Sequence, residues 1–128
     1  MDLRLDTQTQ LWRLTGDLPL SILARAAIEH TGNTVYVSAA SAWEIAKSFR
    51  IGRLPNAAAI AADLTGVLAV EGFFSLPISL AHGQPAGAIS GPYRDPFDRM
   101  LLAQAMLGDL VLMSNEQRFD PYGVRRLW

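Results

Sequence analysis

Apolar positions recur along the chain with two periods, two and about 3.6. From Met1 to Leu5, Leu3 and Leu5 alternate with charged residues and the run stops at Asp6, which predicts a short strand. Thr7-Gln-Thr-Gln10 has capping-box spacing ahead of Leu11, Trp12 and Leu14, so a helix is expected from Thr7 to Thr15, ending near Gly16. Leu20 to Glu29 repeats Ile22, Leu23, Ala26, Ala27 and Ile28 at helical spacing and closes at Gly32-Asn33. Thr34-Val-Tyr-Val37 is β-branched and aromatic, a second strand. Helices follow from Ser38 to Arg50 and, Ala-rich, from Asn56 to Val70. Phe73 to Leu76 predicts a strand, Ser79 to Gly87 a helix and Ala88 to Tyr93 a loop. Asp95 to Leu107 is a strong helix stopped by Gly108, and strands are expected at Leu110 to Met113 and Val124 to Leu127.

Strands separated by helices predict an α/β fold with a mainly parallel sheet, because only long crossovers join parallel strands. The 128 residues suit one domain, residues 1–128, with one apolar core. Half the residues are apolar and 18% are charged, which excludes wholesale disorder. With no cysteine, disulfide scaffolds, thiolate metal sites and cysteine nucleophiles are excluded, and a cytoplasmic location fits. The longest uncharged stretch, Gly72 to Tyr93, is broken by Pro77, Pro85 and Pro92 and cannot span a membrane. Asp2, Arg4 and Asp6 stand where a signal peptide would need an apolar run. A net charge of −1 supplies no basic field for nucleic acid. Of the eleven Lys and Arg residues only Lys47 is lysine. Arginine forks suit phosphate, although a high-GC genome would give the same bias.

In a parallel sheet the site lies beyond the carboxyl ends of the strands. Asp6 closes the first strand, and Ser114 to Glu116 follows the strand at Leu110. Glu44 and Asp98 stand on helices, and all four carboxylates can converge on one edge. Gathered carboxylates repel one another unless a hard cation such as Mg²⁺ or Mn²⁺ neutralises them. A pair of such ions can activate water and stabilise the leaving oxygen of a phosphodiester. No rival nucleophile is evident, since His30 and His82 have no obvious Ser, Asp or His partner. Helix capping competes as an explanation for each acid. Ser41 and Glu44 have capping-box spacing, Asp6 can cap the first helix, and Asp95-Pro96-Phe97-Asp98 reads as N-cap, N1 and N3.

Taken in order, Leu5-Asp6-Thr7, Leu11-Trp12, Val37-Ser38-Ala-Ala-Ser-Ala-Trp43-Glu44-Ile45, Arg94-Asp95-Pro96-Phe97-Asp98-Arg99-Met100-Leu101 and Tyr122-Gly123-Val124 resemble PIN-domain ribonucleases of the VapC toxin type. Leu76-Pro77-Ile78 and His82 fall where that family places similar residues, and the likeness covers nearly the whole chain. The resemblance implies a three-layer α/β/α sandwich and a Mg²⁺- or Mn²⁺-dependent endoribonuclease. It also implies a cognate antitoxin and a homodimer, with a larger assembly when the antitoxin is bound. Asp6, Glu44 and Asp98 match the acidic ligands, and Glu116 stands in place of the usual Asp two residues after a hydroxyl residue, here Ser114. Gln8 and Tyr93 stand where many members carry His. Thr7 and Ser114 are expected to orient neighbours, Asp95 to cap or support, and Arg94, Arg99 and Arg118 to contact phosphate or form surface ion pairs. Leu11, Trp12, Trp43 and Phe49 are candidates for an apolar groove that receives the antitoxin. A phosphoacceptor receiver domain is disfavoured because the only lysine, Lys47, lies on a helix. The alternative is a non-catalytic PIN-like α/β binding module whose carboxylates only cap helices.

Overall fold

Strands β1 (Asp2–Leu5), β2 (Thr34–Ser38), β3 (Phe74–Leu76), β4 (Val111–Met113) and β5 (Arg126–Leu127) form one sheet in the order β3-β2-β1-β4-β5. Every neighbouring pair is parallel, so the sheet is parallel throughout. This computed structural model describes residues 1–16, 20–91 and 94–128. Pro92 and Tyr93, the end of the expected loop and one of the positions where relatives carry His, lie outside the described residues. Around the sheet run α1 (Thr7–Thr15), α2 (Ile22–Glu29), α3 (Ala39–Arg50), α4 (Ala58–Ala62), α5 (Leu64–Glu71), α6 (Leu80–Ala88) and α7 (Pro96–Leu107). None of the described helices is long and apolar enough to cross a membrane.

Alternation along the strands sorts the core onto two faces. Leu3, Leu5, Val35, Val37, Val111 and Met113 pack with Ala24, Ala27 and Ile28 of α2 and Leu68 of α5. On the opposite face Leu112 packs with Leu101 and Leu102 of α7 and with Phe119. Helices thus cover both faces, giving the α/β/α sandwich. Arg4 shares the second face, in register between Tyr36 and Leu112, and is only 1% exposed.

Two local expectations are corrected. The Ala-rich run is not one helix, because Asp63 breaks it at φ −150° and caps α5 by accepting from the Gly66 N–H at 3.0 Å. The break lets Ile60 pack with Leu11 and Ile45, while Leu68 joins the sheet core. The second concerns α1, whose N-cap is Asp6 and not Thr7. Gln10 therefore takes no part in a capping box. It is fully buried, and its amide oxygen and nitrogen have no hydrogen-bond partner among the described residues.

A 3₁₀ turn, Gln117–Tyr122, is an element the hydropathy pattern does not predict, since only Phe119 within it is buried.

Candidate active site

The chain builds β1, β2 and β3 outward in one direction, then returns to place β4 on the other side of β1. The strand order reverses between β1 and β4, where parallel α/β sheets open a crevice. The Asp6 N–H and the Thr9 hydroxyl both donate to the Met113 carbonyl, at 3.1 and 3.0 Å, and tie the two strand ends together. Asp6 is buried, and its Oδ1 accepts from the Thr9 N–H at 2.7 Å. It therefore caps α1 from a buried position at the end of β1.

Ser38 starts α3, its Oγ accepting from the Ala40 N–H at 3.0 Å. That start puts Ser41 inside the helix and removes the capping-box reading of Glu44. Glu44 lies a turn beyond Ser41, half-buried, and the Thr7 and Ser41 hydroxyls are hydrogen-bonded to each other at 3.1 Å. At α7 the capping reading of Asp95 holds: Oδ1 accepts from the Phe97 and Asp98 N–H groups at 2.8 and 3.2 Å, with Pro96 at N1. Asp98 then falls in the first turn. Beyond β4, buried Ser114 accepts from the Glu116 N–H at 3.1 Å and turns Glu116 toward the same opening.

Asp6, Glu44, Asp95, Asp98 and Glu116 line one cavity of about 310 Å³, together with Arg4, Arg94 and Arg118. Thr7 and Gln8 also line it. Ser114 lies behind the wall. Arg99 is turned away, its guanidinium donating to the carbonyls of Ala86, Gly87 and Ile89 at the end of α6. His82 and Ser79 cap α6 reciprocally, and His30 Nδ1 accepts from the Gly32 N–H, so both histidines serve local structure.

The cavity is short of positive charge. Burial pushes the Asp98 carboxyl up to about 6; Arg118 opposes this, and Asp95, Glu116 and Glu44 add to it. Burial also raises Glu44, against a hydrogen bond from Thr7, with repulsion from Asp95 and Asp6 in the same direction and Arg4 opposing. Among the described residues, no three acidic or histidine groups stand close enough to hold a metal ion as they are. Arg118 bridges two of the acids. Its Nη2 reaches Asp98 Oδ2 at 3.1 Å while its Nε binds Glu116 Oε2, so it draws an oxygen from each. The donor set is all oxygen, and carboxylates held against their preference to ionise fit a hard divalent cation.

Two expectations follow. Truncating the cap in Asp95→Ala costs about 0.5–2 kcal/mol in urea denaturation and leaves the other four carboxylates in place. Protons compete with metal at Asp98, so Mn²⁺ affinity measured by calorimetry rises as pH increases through about 6, and a flat profile would exclude Asp98 as a ligand. In the metal-free protein the sign is opposite. A carboxyl raised by folding adds stability below its ordinary value of 3.8, and that contribution is lost as pH rises through about 6.

Two features of the pocket escape the sequence reading. One is Arg4, for which the available signal is a charge within a strand that becomes central in a sheet covered on both faces. The other is an edge-to-face pair at the rim, exposed Trp43 against Phe97 with ring centroids 5.0 Å apart, and Lys47 Nζ 5.7 Å from the Phe97 ring.

The PIN domain family model matches residues 4–124. The chain belongs to the PIN domain family. PIN domains are generally nucleases, and in this one the acidic segments matched from sequence meet at a single cavity. Among curated proteins, none matches the chain in sequence. Among solved structures, the PIN domain is similar to a chain of the crystal structure of VapBC2 from Rickettsia felis bound to a DNA fragment from their promoter. The TM-score is 0.73 at 15% identity, over 99% of this chain and 98% of that one. At that identity the likeness speaks for the fold.

Proposed function

We propose that this PIN domain is a Mg²⁺- or Mn²⁺-dependent endoribonuclease, the toxin component of a toxin–antitoxin pair in the cytoplasm. The observation that carries the reading is the meeting of carboxylates from β1, α3, α7 and the segment after β4 in one cavity at the reversal of strand order. Asp6, Glu44 and Asp98 would hold the ion, with Glu116 joining when Arg118 releases it. A bound divalent ion supplies Lewis acidity and a water activated for attack on phosphorus. The chain's own groups do the rest. Thr7 orients Glu44, and Asp95 holds the first turn of α7 so that Asp98 faces the cavity. Arg94, exposed at the rim, and Arg118 offer bidentate forks to the RNA backbone.

The proposed partner is an antitoxin, by likeness to the VapBC2 complex, with a homodimer of this chain as the building block. Of the residues expected in an apolar groove, Trp43 and Phe49 are exposed and suit that role. Leu11 is buried, and Trp12 is half-buried with its ring 5.8 Å from Trp128. A non-catalytic binding module is the second reading, favoured by the bridging of Asp98 and Glu116 through Arg118. Purified protein free of antitoxin separates the two: the nuclease cuts RNA with Mg²⁺ or Mn²⁺ and stops in EDTA. Cleavage that survives EDTA, or none with either ion, would overturn the proposal.

A further inference from the structure

Arg4 is a charged side chain in the middle strand of a sheet covered on both faces, and it is almost wholly out of water. Its Nε donates to Gln104 Oε1 at 3.1 Å and its Nη1 to the Leu5 carbonyl at 3.0 Å. The Gln104 amide nitrogen donates to the Pro77 carbonyl at 3.3 Å, which leaves the oxygen to face Arg4. The guanidinium is thus clamped between β1 and α7, beside the acidic cavity it helps to line. A buried cation is tolerated only where negative charge faces it. Asp6 and Glu44 line the same cavity and supply that charge. A guanidinium keeps its proton in proteins, so Arg4 is a cation at neutral pH.

Packing alone does not call for this residue, because an apolar chain of similar length would suit a place between Tyr36 and Leu112. The charge balance of the cavity gives it a purpose. Five carboxylates against three arginines leave an excess of two negative charges among the lining residues. Counting only Asp6, Glu44 and Asp98, which are buried or half-buried, against buried Arg4 leaves the same excess. Two charges are the charge of one divalent ion.

We infer that Arg4 is a built-in counterion of the acidic cluster, standing in for a second metal, so that the RNA-free site takes one divalent cation. The inference rests on the metal-dependent reading above. Arg4 is a positioning residue here: it does not touch substrate, and it sets how much cation the carboxylates still demand. Arg118 cannot play the same part, because it is exposed and reaches the carboxylates from the solvent side, where an ion can displace it.

Titration of RNA-free protein with Mn²⁺, following the free ion by electron paramagnetic resonance, tests this. The wild type is expected to bind one Mn²⁺ per chain. Arg4→Met, which removes the charge at similar length, is expected to bind Mn²⁺ about ten-fold tighter or to take a second ion. Arg4→Lys keeps the wild-type count. Two ions on the wild type, or unchanged affinity and count in Arg4→Met, overturn the inference and leave the nuclease reading standing. No bound Mn²⁺ on the wild type strikes the nuclease reading itself, and the inference falls with it. If Arg4→Met is unfolded in EDTA but folds on adding Mn²⁺, metal is replacing the lost counterion and the inference is supported. If it stays unfolded in both, the wild-type count decides, one ion supporting and two overturning.

Discussion

Asp98→Asn should abolish RNA cleavage while raising the melting temperature of the metal-free protein. Asn keeps the shape and removes the charge a divalent ion requires, so activity is expected to fall at least about a thousand-fold, or about 4 kcal/mol in the barrier. The rise in melting temperature comes from the cavity, where burial and three neighbouring carboxylates resist the charge of Asp98. What is lost is an ion pair to Arg118, a side chain open to solvent, and such pairs contribute only about 0–1 kcal/mol. With metal at ten times its dissociation constant, the wild type gains about 1.4 kcal/mol, which is about 3–6 °C at this length. The variant should lose most of that gain. Asp6→Asn should lose cleavage as completely; an amide oxygen still accepts from the Thr9 N–H, so the cap is kept while Arg4 loses one of the charges that face it. Gel assays and thermal melts in EDTA and in Mn²⁺ read all these quantities. A metal-insensitive wild type with a destabilised Asp98→Asn would mean that the carboxylates serve only the helix ends.

Phe119→Ala should cost about 3–5 kcal/mol, a large share of the stability of a small domain. Phe119 is the buried anchor of the 3₁₀ turn, packed on Leu101, Leu102 and Leu112. Its N–H donates to the Glu116 carbonyl at 3.3 Å, and the Arg118 guanidinium lies 4.9 Å from its ring. Removing the ring leaves a cavity and releases the segment that carries both residues. Urea denaturation measures the first effect, and weaker Mn²⁺ binding reports the second if Glu116 takes part. Phe119→Leu, nearer in volume, should cost clearly less. A loss below about 1 kcal/mol in Phe119→Ala would show that the turn is not held by this contact.

What could be read from the chain was what local chemistry decides. Asp95-Pro96 announces the start of α7 because capping and the fixed φ of proline act within one turn. The strands show themselves through β-branched and alternating runs, and the length of the crossovers predicts their parallel pairing. Glu44 was ambiguous because Ser38 and Ser41 can each start a helix, and only the end of β2 decides for Ser38. The break at Asp63 was hidden by alanines that favour a continuous helix, while the two halves pack on different clusters. Arg4 shows the limit most clearly. Alternation puts it on the face opposite Leu3 and Leu5, but whether that face is wet depends on α7, far along the chain. The PIN resemblance identified Asp6, Glu44, Asp98 and Glu116 as a set, yet nothing in it indicated that Arg118 would bridge two of them.

The strand order has a bearing on how the molecule comes into being. β1 is made first, but its second neighbour, β4, comes after nearly all the helices. Asp6 and Glu116 therefore meet only through the most distant pairing in the sheet, a contact whose loop-closure cost must be met before it contributes any stability. Species that have assembled only β1, β2 and β3 hold Asp6 and Glu44 without the wall that Glu116 and Phe119 provide. The acidic pocket is thus complete only once the sheet has closed around β1.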